Sequence, residues 1–211
     1  MNRPAFVETN EKLDSIVAGL DLQPTDRVLS ICGSGDQPLA ILEQVSEVVA
    51  VDIVDTQFHY TKKRVEYLKK GEMVFFFNPL MPIEDKLWKR VIGKSEIVGD
   101  FVECIESRKY FTDARLEKLR SKLKRLIFLQ EDIFNVDMGI FDKAYLSNAH
   151  HTTNDSKLSF SIKQNGLVYV ATNQYEKEML QQGFLRDTQL TALAVGDASP
   201  YDWSPVVYRK A

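Results

Sequence analysis

The predicted fold depends on the stretch Asp26-Arg-Val-Leu-Ser-Ile-Cys-Gly-Ser-Gly-Asp-Gln-Pro-Leu39, which is followed by Val48-Val-Ala-Val-Asp52. Val28–Cys32 is a short apolar strand, and it breaks into the glycine turn Gly33–Asp36. A helix is predicted over Leu39–Val45, and a second apolar strand over Val48–Val51 ends at an acid. Strand, glycine turn, helix, strand and acid, in this order, form the βαβ pattern of nucleotide-binding sheets.

The same stretch indicates what kind of nucleotide could bind. Glycines let the backbone approach a ligand closely, and Asp52 suits the two hydroxyls of a ribose. The third glycine of the dinucleotide motif is missing, because position 38 is proline, and the turn has no Arg or Lys to hold a pyrophosphate. A nucleoside without a phosphate fits better, and S-adenosylmethionine is the common one. A plain α/β domain whose turn binds nothing is the alternative.

Length and composition predict one domain over residues 1–211, with a helical leader at 1–25 and a helical insertion at 72–111. The glycine-turn motif makes this the expected S-adenosylmethionine-binding domain. The net charge of -3 argues against a nucleic-acid-binding surface, so a small-molecule or lipid acceptor is expected and a nucleic-acid partner is not. Two cysteines, no apolar run long enough for a transmembrane segment and no signal peptide favour a cytoplasmic protein. The oligomeric state is not indicated.

The remaining chain alternates between helix and strand patterns. Helices are predicted at residues 56–70, 112–123, 153–163 and 175–182. Strands are predicted at 126–129, 141–146 and 166–171, with a final antiparallel pair at 190–195 and 206–208. This order predicts an α/β fold with a doubly wound, mostly parallel seven-stranded sheet, in which ligands bind at the carboxyl ends of the strands. The leader lies either over the cofactor site or over a sheet edge.

From about residue 24 to 210, this pattern resembles the class I S-adenosylmethionine-dependent methyltransferases, which have a Rossmann-like sheet. The resemblance implies that Asp52 holds the ribose and that Asp132 and Ile133 frame the adenine. It also shows one departure. The family's acid two residues before the first glycine is absent, and Ser30 and Cys32 occupy that stretch.

A narrower resemblance rests on Leu29–Gln37, on Ala50–Asp52 with Gln57, and on Tyr145–Asn148. These motifs look like the bacterial betaine-lipid synthesis enzymes, which transfer a 3-amino-3-carboxypropyl group from S-adenosylmethionine to diacylglycerol. This chain is much shorter than those enzymes, so their lipid acceptor does not carry over. Together the two resemblances imply these cofactor-binding residues: Cys32, Gly33, Ser34, Gly35, Asp36, Asp52, Ile53, Gln57, Asp132, Ile133, Ser147 and Asn148.

The chemistry of the cofactor limits the catalytic roles. Attack on a carbon beside the sulfonium expels a neutral thioether, so no metal is needed, and the carbon that faces the acceptor decides the product. His150 and His151 follow the fourth strand, where a general base would lie, although a solvated loop is the alternative. Tyr60 either contributes to the catalytic pocket or packs in the core. Asp36 either holds the cofactor's ammonium or caps the following helix.

Three functions therefore stay open. The first is a transferase that moves the 3-amino-3-carboxypropyl group. The second is an ordinary methyltransferase acting on a small molecule or a lipid. The third is a non-catalytic module that only binds S-adenosylmethionine.

Overall fold

Seven strands form one mixed sheet in the computed structural model, which describes residues 4, 6–9, 11–77, 105–149, 160–173, 176–196 and 204–211. The strands are β1 (Arg27–Ile31), β2 (Glu47–Val51), β3 (Leu126–Leu129), β4 (Ile140–Ser147), β5 (Ser161–Val170), β6 (Phe184–Arg186) and β7 (Val206–Lys210). Their order across the sheet is β3-β2-β1-β4-β5-β7-β6. β7 runs antiparallel to both neighbours, and the pairs from β3 to β5 are parallel.

Helices flank the sheet. In the described ranges they are α1 (Leu13–Gly19), α2 (Asp36–Gln44), α3 (Asp55–Lys70), α4 (Met73–Phe77), α5 (Ile105–Tyr110), α6 (Asp113–Lys122), α7 (Glu176–Gln181) and α8 (Thr188–Val195). Short 3₁₀ turns lie at Leu123–Arg125 and Ile133–Asn135. None of the helices in this part of the chain is long and apolar enough to cross a membrane. The predicted fold class, a mostly parallel seven-stranded α/β sheet, is confirmed.

The central strands are apolar on both faces because helices cover both sides of the sheet. Val28 and Val48 point into one hydrophobic core, whereas Leu29 and Val49 point into the other, and all four side chains are fully buried. This alternation puts successive residues of each strand in opposite layers. The sheet is therefore held between two cores, and its carboxyl edge is the part left for a ligand.

The helix ends agree with the capping signals in the sequence. Gly71 ends α3 with a φ of 79°, a left-handed conformation that favours glycine. Thr112 caps α6, since its side chain accepts a hydrogen bond from the backbone N–H of Arg115 at 3.4 Å. Helix α2 begins earlier than predicted, at Asp36, so the capping position is Gly35.

The C-terminal part corrects two predictions. Residues 190–195 were expected to form a strand, but they belong to α8, whose first turn is capped by Asp187 accepting from the backbone N–H of Leu190 at 3.0 Å. The strand beside β7 is instead β6, which is three residues long and gave no periodic signal. The helix predicted over 153–163 is wrong at its end, because Ser161 begins β5; residues 153–159 lie outside the described residues.

The N-terminal leader and the insertion are helical only in part. In the leader, helix α1 covers Leu13–Gly19, and the described residues before it are not helical. The ends of the predicted insertion are the helices α4 and α5, while residues 78–104 lie outside the described residues.

A fully buried ion pair ties the glycine turn to the helices around it. Arg64 on α3 and Asp36 on α2 are both 0% exposed, and Arg64 Nη2 lies 2.9 Å from Asp36 Oδ1. Arg64 also donates to the carbonyl oxygens of Ser34 (2.7 Å) and Phe76 (3.1 Å), and Ser107 of α5 donates to Asp36. Four separate segments therefore meet at one pair of charges.

The charge of Asp36 is stabilised in place. Burial alone would raise the pKa of the Asp36 carboxyl, but the charge and hydrogen bonds of Arg64, with those of Ser107 and Ser34, hold it below its usual value. Both groups are therefore ionised, and each depends on the other because a lone buried charge is costly.

Arg64→Met should lower the free energy of unfolding by about 3–5 kcal/mol, because it leaves the Asp36 charge buried without its partner. Urea denaturation measures this. The matched control is Arg120→Met, which breaks an exposed pair with Glu117 and should cost less than about 1 kcal/mol. The double variant Asp36→Asn/Arg64→Met should be more stable than Arg64→Met; equal or lower stability would contradict the ion-pair explanation.

Candidate functional site

A cavity of about 390 Å³ opens at the carboxyl ends of β1, β2, β3 and β4. This volume lies in the usual range for small-molecule sites. Its lining consists of Phe6, Glu8, Ile31, Gly33, Gln37, Val51, Asp52, Ile53, Val54, Gln57, Asp132, Ile133, Phe134, Ser147, Asn148 and Ala149. Eight of the twelve predicted cofactor-binding residues are in this set: Gly33, Asp52, Ile53, Gln57, Asp132, Ile133, Ser147 and Asn148.

The glycine turn forms one side of the cavity and needs its glycines. Gly33 and Gly35 have φ values of 49° and 94°, and a Cβ on Gly35 would meet Thr61 Cγ2 at 3.0 Å. The carbonyl oxygen of Gly33 accepts hydrogen bonds from Gln57 Nε2 (2.6 Å) and Thr61 Oγ1 (2.9 Å). Helix α3 therefore holds the turn in position from behind.

Asp52 ends β2 at the cavity and is 7% exposed. Its Oδ1 accepts a hydrogen bond from the backbone N–H of Val54 at 3.0 Å. Burial raises the pKa of this carboxyl to about 6, although the backbone N–H groups of Val54 and Gly33 oppose the rise. A carboxylate that is costly to ionise gains when a ligand donates hydrogen bonds to it.

Asp132 follows β3 and begins the 3₁₀ turn at Ile133–Asn135. Its Oδ1 accepts from the backbone N–H of Phe134 at 3.0 Å, so part of the carboxylate serves as a cap. The buried side chains of Ile133 and Phe134 add an apolar wall to the cavity. Ile53 and Phe6, which are 55% and 42% exposed, give the cavity further apolar surface.

The end of β4 closes the cavity on the other side. Ser147 has a φ of 52°, which is unusual for a residue other than glycine, and the β4–β5 register shifts between Tyr145 and Ser147. Ser147, Asn148 and Ala149 all line the cavity. A change of backbone direction at Ser147 therefore brings three consecutive residues to the site.

The N-terminal segment supplies a further wall, and of the two positions that the sequence left open for the leader, the cofactor site and a sheet edge, the described residues take the first. Phe6 exchanges two hydrogen bonds with the Gln57 side chain, through its backbone N–H (3.0 Å) and its carbonyl oxygen (2.8 Å). The hydroxyl of Tyr60 donates to the carbonyl oxygen of Val7 at 2.5 Å. These contacts place Phe6 and Glu8 in the cavity lining, so the leader lies over the site. No periodic signal in the sequence marks this segment.

The charges on the cavity wall all have the same sign. Among the described lining residues the ionisable side chains are Glu8, Asp52 and Asp132, and there is no Lys, Arg or His. An acidic cavity favours a cationic ligand and disfavours phosphates. In the described ranges, the cavity included, no group of three or more His, Cys, Asp or Glu side chains could hold a metal ion.

Several predicted site residues lie behind the cavity wall. Asp36 is paired with Arg64, and Ser34 donates to Asp36 Oδ2 at 2.7 Å, so the geometry argues against Asp36 as the ammonium's partner. Cys32 is fully buried, and burial raises the pKa of its thiol. Tyr60 is 1% exposed and holds the leader rather than lining the cavity. Gly35 belongs to the turn but not to the lining, and His150 and His151 lie outside the described residues.

The chain matches known proteins in structure but not in sequence. No protein-family model matches the chain, and no curated protein matches it significantly. In contrast, 279 solved chains match its structure. A candidate methyltransferase from Bacillus halodurans superposes with a TM-score of 0.52 at 10% identity, covering 94% of this chain and 98% of that one. The chain has the class I methyltransferase fold.

Two further structures show how widely the fold is used. A tRNA (m1A58) methyltransferase from Aquifex aeolicus gives a TM-score of 0.51 at 15% identity, covering 98% of this chain and 73% of that one. The cyclase SpnF gives 0.52 at 11% identity, covering 94% and 79%. At such identities the likeness shows the fold, and the activity has to be argued from the site.

The prediction that excluded a nucleic-acid partner is wrong. The tRNA methyltransferase shows that proteins of this fold can act on nucleic acid. The net charge was a poor guide because it sums over the whole chain. Residues 55–77 and 105–125 contain 13 Lys and Arg against 6 Asp and Glu, so a strongly basic part coexists with a net charge of -3.

The stability of the ligand-free protein should depend on Asp52. Its pKa rises from 3.8 to about 6 on folding, so its stabilising contribution is present below 3.8 and is lost as pH rises through 6. The free energy of unfolding of Asp52→Asn should therefore exceed that of the wild type by up to about 3 kcal/mol near pH 7.5. Near pH 4 the two should differ by less than about 1 kcal/mol. Urea denaturation at several pH values measures this. A difference that does not change with pH would contradict the raised pKa.

Proposed function

We propose that this chain is an S-adenosylmethionine-dependent transferase. The observation that carries the proposal is the acidic cavity at the carboxyl ends of the strands, with Glu8, Asp52 and Asp132 as its charged described residues. S-adenosylmethionine has a sulfonium, an ammonium and one carboxylate, so it is a net cation near neutral pH. Dinucleotides and nucleoside triphosphates carry several negative charges, which such a wall would repel.

In the proposed binding mode, each wall of the cavity contacts a different part of the cofactor. Asp52 accepts hydrogen bonds from both ribose hydroxyls, and its costly charge is stabilised when they form. Ile53 and Ile133 pack on the adenine, while Asp132 accepts from the exocyclic amine. Ser147 and Asn148 face the amino-acid end of the cofactor. Glu8 adds negative charge near the sulfonium and the ammonium.

The group transferred is proposed to be the methyl group, since the solved structures with this fold include proteins named as methyltransferases. Transfer of the 3-amino-3-carboxypropyl group is the second candidate. It is supported by the glycine turn that ends in Gly-Asp-Gln37 and by Leu146-Ser-Asn148 at the end of β4, which resemble motifs of the betaine-lipid enzymes. The two reactions differ in which carbon of the sulfonium faces the acceptor, so positioning decides between them.

Product analysis separates these candidates. The protein is incubated with S-adenosylmethionine and with separate RNA, protein, lipid and metabolite fractions from a cell extract. Methyl transfer releases S-adenosylhomocysteine, and aminocarboxypropyl transfer releases methylthioadenosine, both measurable by mass spectrometry. A reaction without protein corrects for spontaneous breakdown of the cofactor. Binding without either product would support a non-catalytic module.

His150 and His151 remain proposed general bases for the acceptor. They directly follow Ala149, which lines the cavity, and a neutral imidazole can take a proton near neutral pH.

Asp52→Ala should weaken binding of S-adenosylhomocysteine at least tenfold, because it removes two hydrogen bonds to a charged acceptor worth about 1.5–3 kcal/mol each. Isothermal titration calorimetry measures the dissociation constants. The matched control is Asp55→Ala, since Asp55 is three residues away, is exposed and is not part of the cavity lining. Equal affinities for wild type and Asp52→Ala would exclude the ribose role, and no heat with the wild type would exclude the proposed cofactor.

A further inference from the structure

A buried glutamate, Glu11, lies behind the part of the cavity that β4 forms. It is 4% exposed, and its Oε1 accepts hydrogen bonds from the hydroxyls of Tyr145 and Ser147, the latter at 2.7 Å. Tyr145 and Ser147 are two residues apart on the same strand. The other carboxylate oxygen, Oε2, is buried and has no hydrogen-bond partner among the described residues.

This arrangement is a poor way to stabilise a fold. Burial raises the pKa of the Glu11 carboxyl, and the hydrogen bonds from Tyr145 and Ser147 only partly oppose the rise. A carboxylate that is removed from water with one oxygen unsatisfied costs stability. Such groups in native proteins call for a functional explanation.

The position of Glu11 is set from the glycine turn. Its backbone N–H donates to Thr9 Oγ1 at 3.0 Å, and the backbone N–H of Thr9 donates to Asp36 Oδ2 at the same distance. Gln37 Nε2 also donates to Thr9 Oγ1 at 3.0 Å. The turn after β1 therefore holds Glu11 against the end of β4.

The partner of Glu11 at the cavity is a strained residue. Ser147 has its left-handed φ of 52°, and its carbonyl oxygen accepts from the backbone N–H of Ala171 at 2.7 Å. Residues held in such conformations cluster at ligand sites, where the surrounding structure maintains them. Here the hydrogen bonds from Ser147 to Glu11 and from Ala171 to Ser147 maintain the conformation.

Distances decide where the Ser147 proton points. Ser147 Oγ lies 2.7 Å from Glu11 Oε1 and 3.5 Å from Asn148 Oδ1, so the proton goes to the carboxylate. A serine hydroxyl has one proton and two lone pairs. With its proton given to Glu11, Ser147 can offer only lone pairs to a ligand in the cavity.

We propose that Glu11 is a positioning residue, which keeps Ser147 oriented as a hydrogen-bond acceptor for the ammonium of the bound S-adenosylmethionine. This inference rests on the proposed function. It accounts for the missing acid of the first motif, because the nearby carboxylate of Asp36 is already paired with Arg64. In this arrangement Glu11, in the N-terminal segment, supplies the negative charge for the ammonium, and the Ser147 hydroxyl links the two groups.

Two ligands test the proposal, because S-adenosylhomocysteine has the ammonium and methylthioadenosine lacks the amino acid. Glu11→Met, which leaves the Ser147 hydroxyl no carboxylate to donate to, should bind S-adenosylhomocysteine about tenfold more weakly, with an unchanged affinity for methylthioadenosine. Ser147→Ala should have the same selective effect. Because Glu11 acts through Ser147, the double variant should be no weaker than Ser147→Ala alone. Titration calorimetry gives the affinity of each variant for both ligands. The ratio of these two affinities compares the ligands on the same protein.

Glu117→Met is the matched control, since it removes a carboxylate that is 77% exposed on α6 and should change neither affinity. Equal losses for both ligands would show that Glu11 is merely structural and overturn the proposal, as would an unchanged affinity for S-adenosylhomocysteine. Additive losses in the double variant would also overturn it. A wild type that binds neither ligand would instead overturn the proposed function, and the inference with it.

Discussion

The buried ion pair between Asp36 and Arg64 is the constraint on which the site depends. It joins the glycine turn, α3, α4 and α5, and through Thr9 it also fixes the N-terminal segment. Neither charge can be left alone in the interior, so these segments have to assemble together. The glycine turn, α3 and the N-terminal segment also contribute residues to the cavity wall, so this part of the site is tied to the core rather than to independent loops.

The carboxylates of Asp36 and Asp52 lie in opposite environments. Asp36 has an arginine beside it, and its pKa lies below the usual value. Among the described residues no cation pairs with Asp52, and burial raises its pKa to about 6. The first carboxylate is satisfied by the protein, whereas the second gains from a ligand that donates hydrogen bonds. Sequence position alone does not separate them, because each follows the carboxyl end of a strand, Asp36 after the glycine turn and Asp52 directly.

The sequence predicted those parts of the structure that depend on local patterns. β1, the glycine turn, β2 and Asp52 follow from apolar runs and turn residues. The strand predicted at 190–195 was wrong because a short apolar run fits a strand or a helix equally well, and the cap Asp187 went unused.

The parts that were missed depend on contacts between distant residues. Nothing in the order of residues indicates that Arg64 pairs with Asp36, or that Glu11 reaches Ser147 across 136 positions. The leader's place over the cavity likewise rests on its hydrogen bonds with Gln57 and Tyr60, which tertiary structure alone brings near. The net charge failed to predict the class of partner for a related reason: a sum over the whole chain does not show where the charges lie.

The place of β7 in the sheet has a consequence during protein synthesis. β7 lies between β5 and β6, and it pairs with residues 167–170 on one side and 184–186 on the other. On the ribosome, β5 and β6 are made before β7, so for a time the backbone groups of Leu167–Val170 face an open edge. An apolar strand with unpaired N–H and C=O groups can join a strand of another chain. Until β7 pairs with it, this edge of β5 is thus a site at which the nascent polypeptide can aggregate.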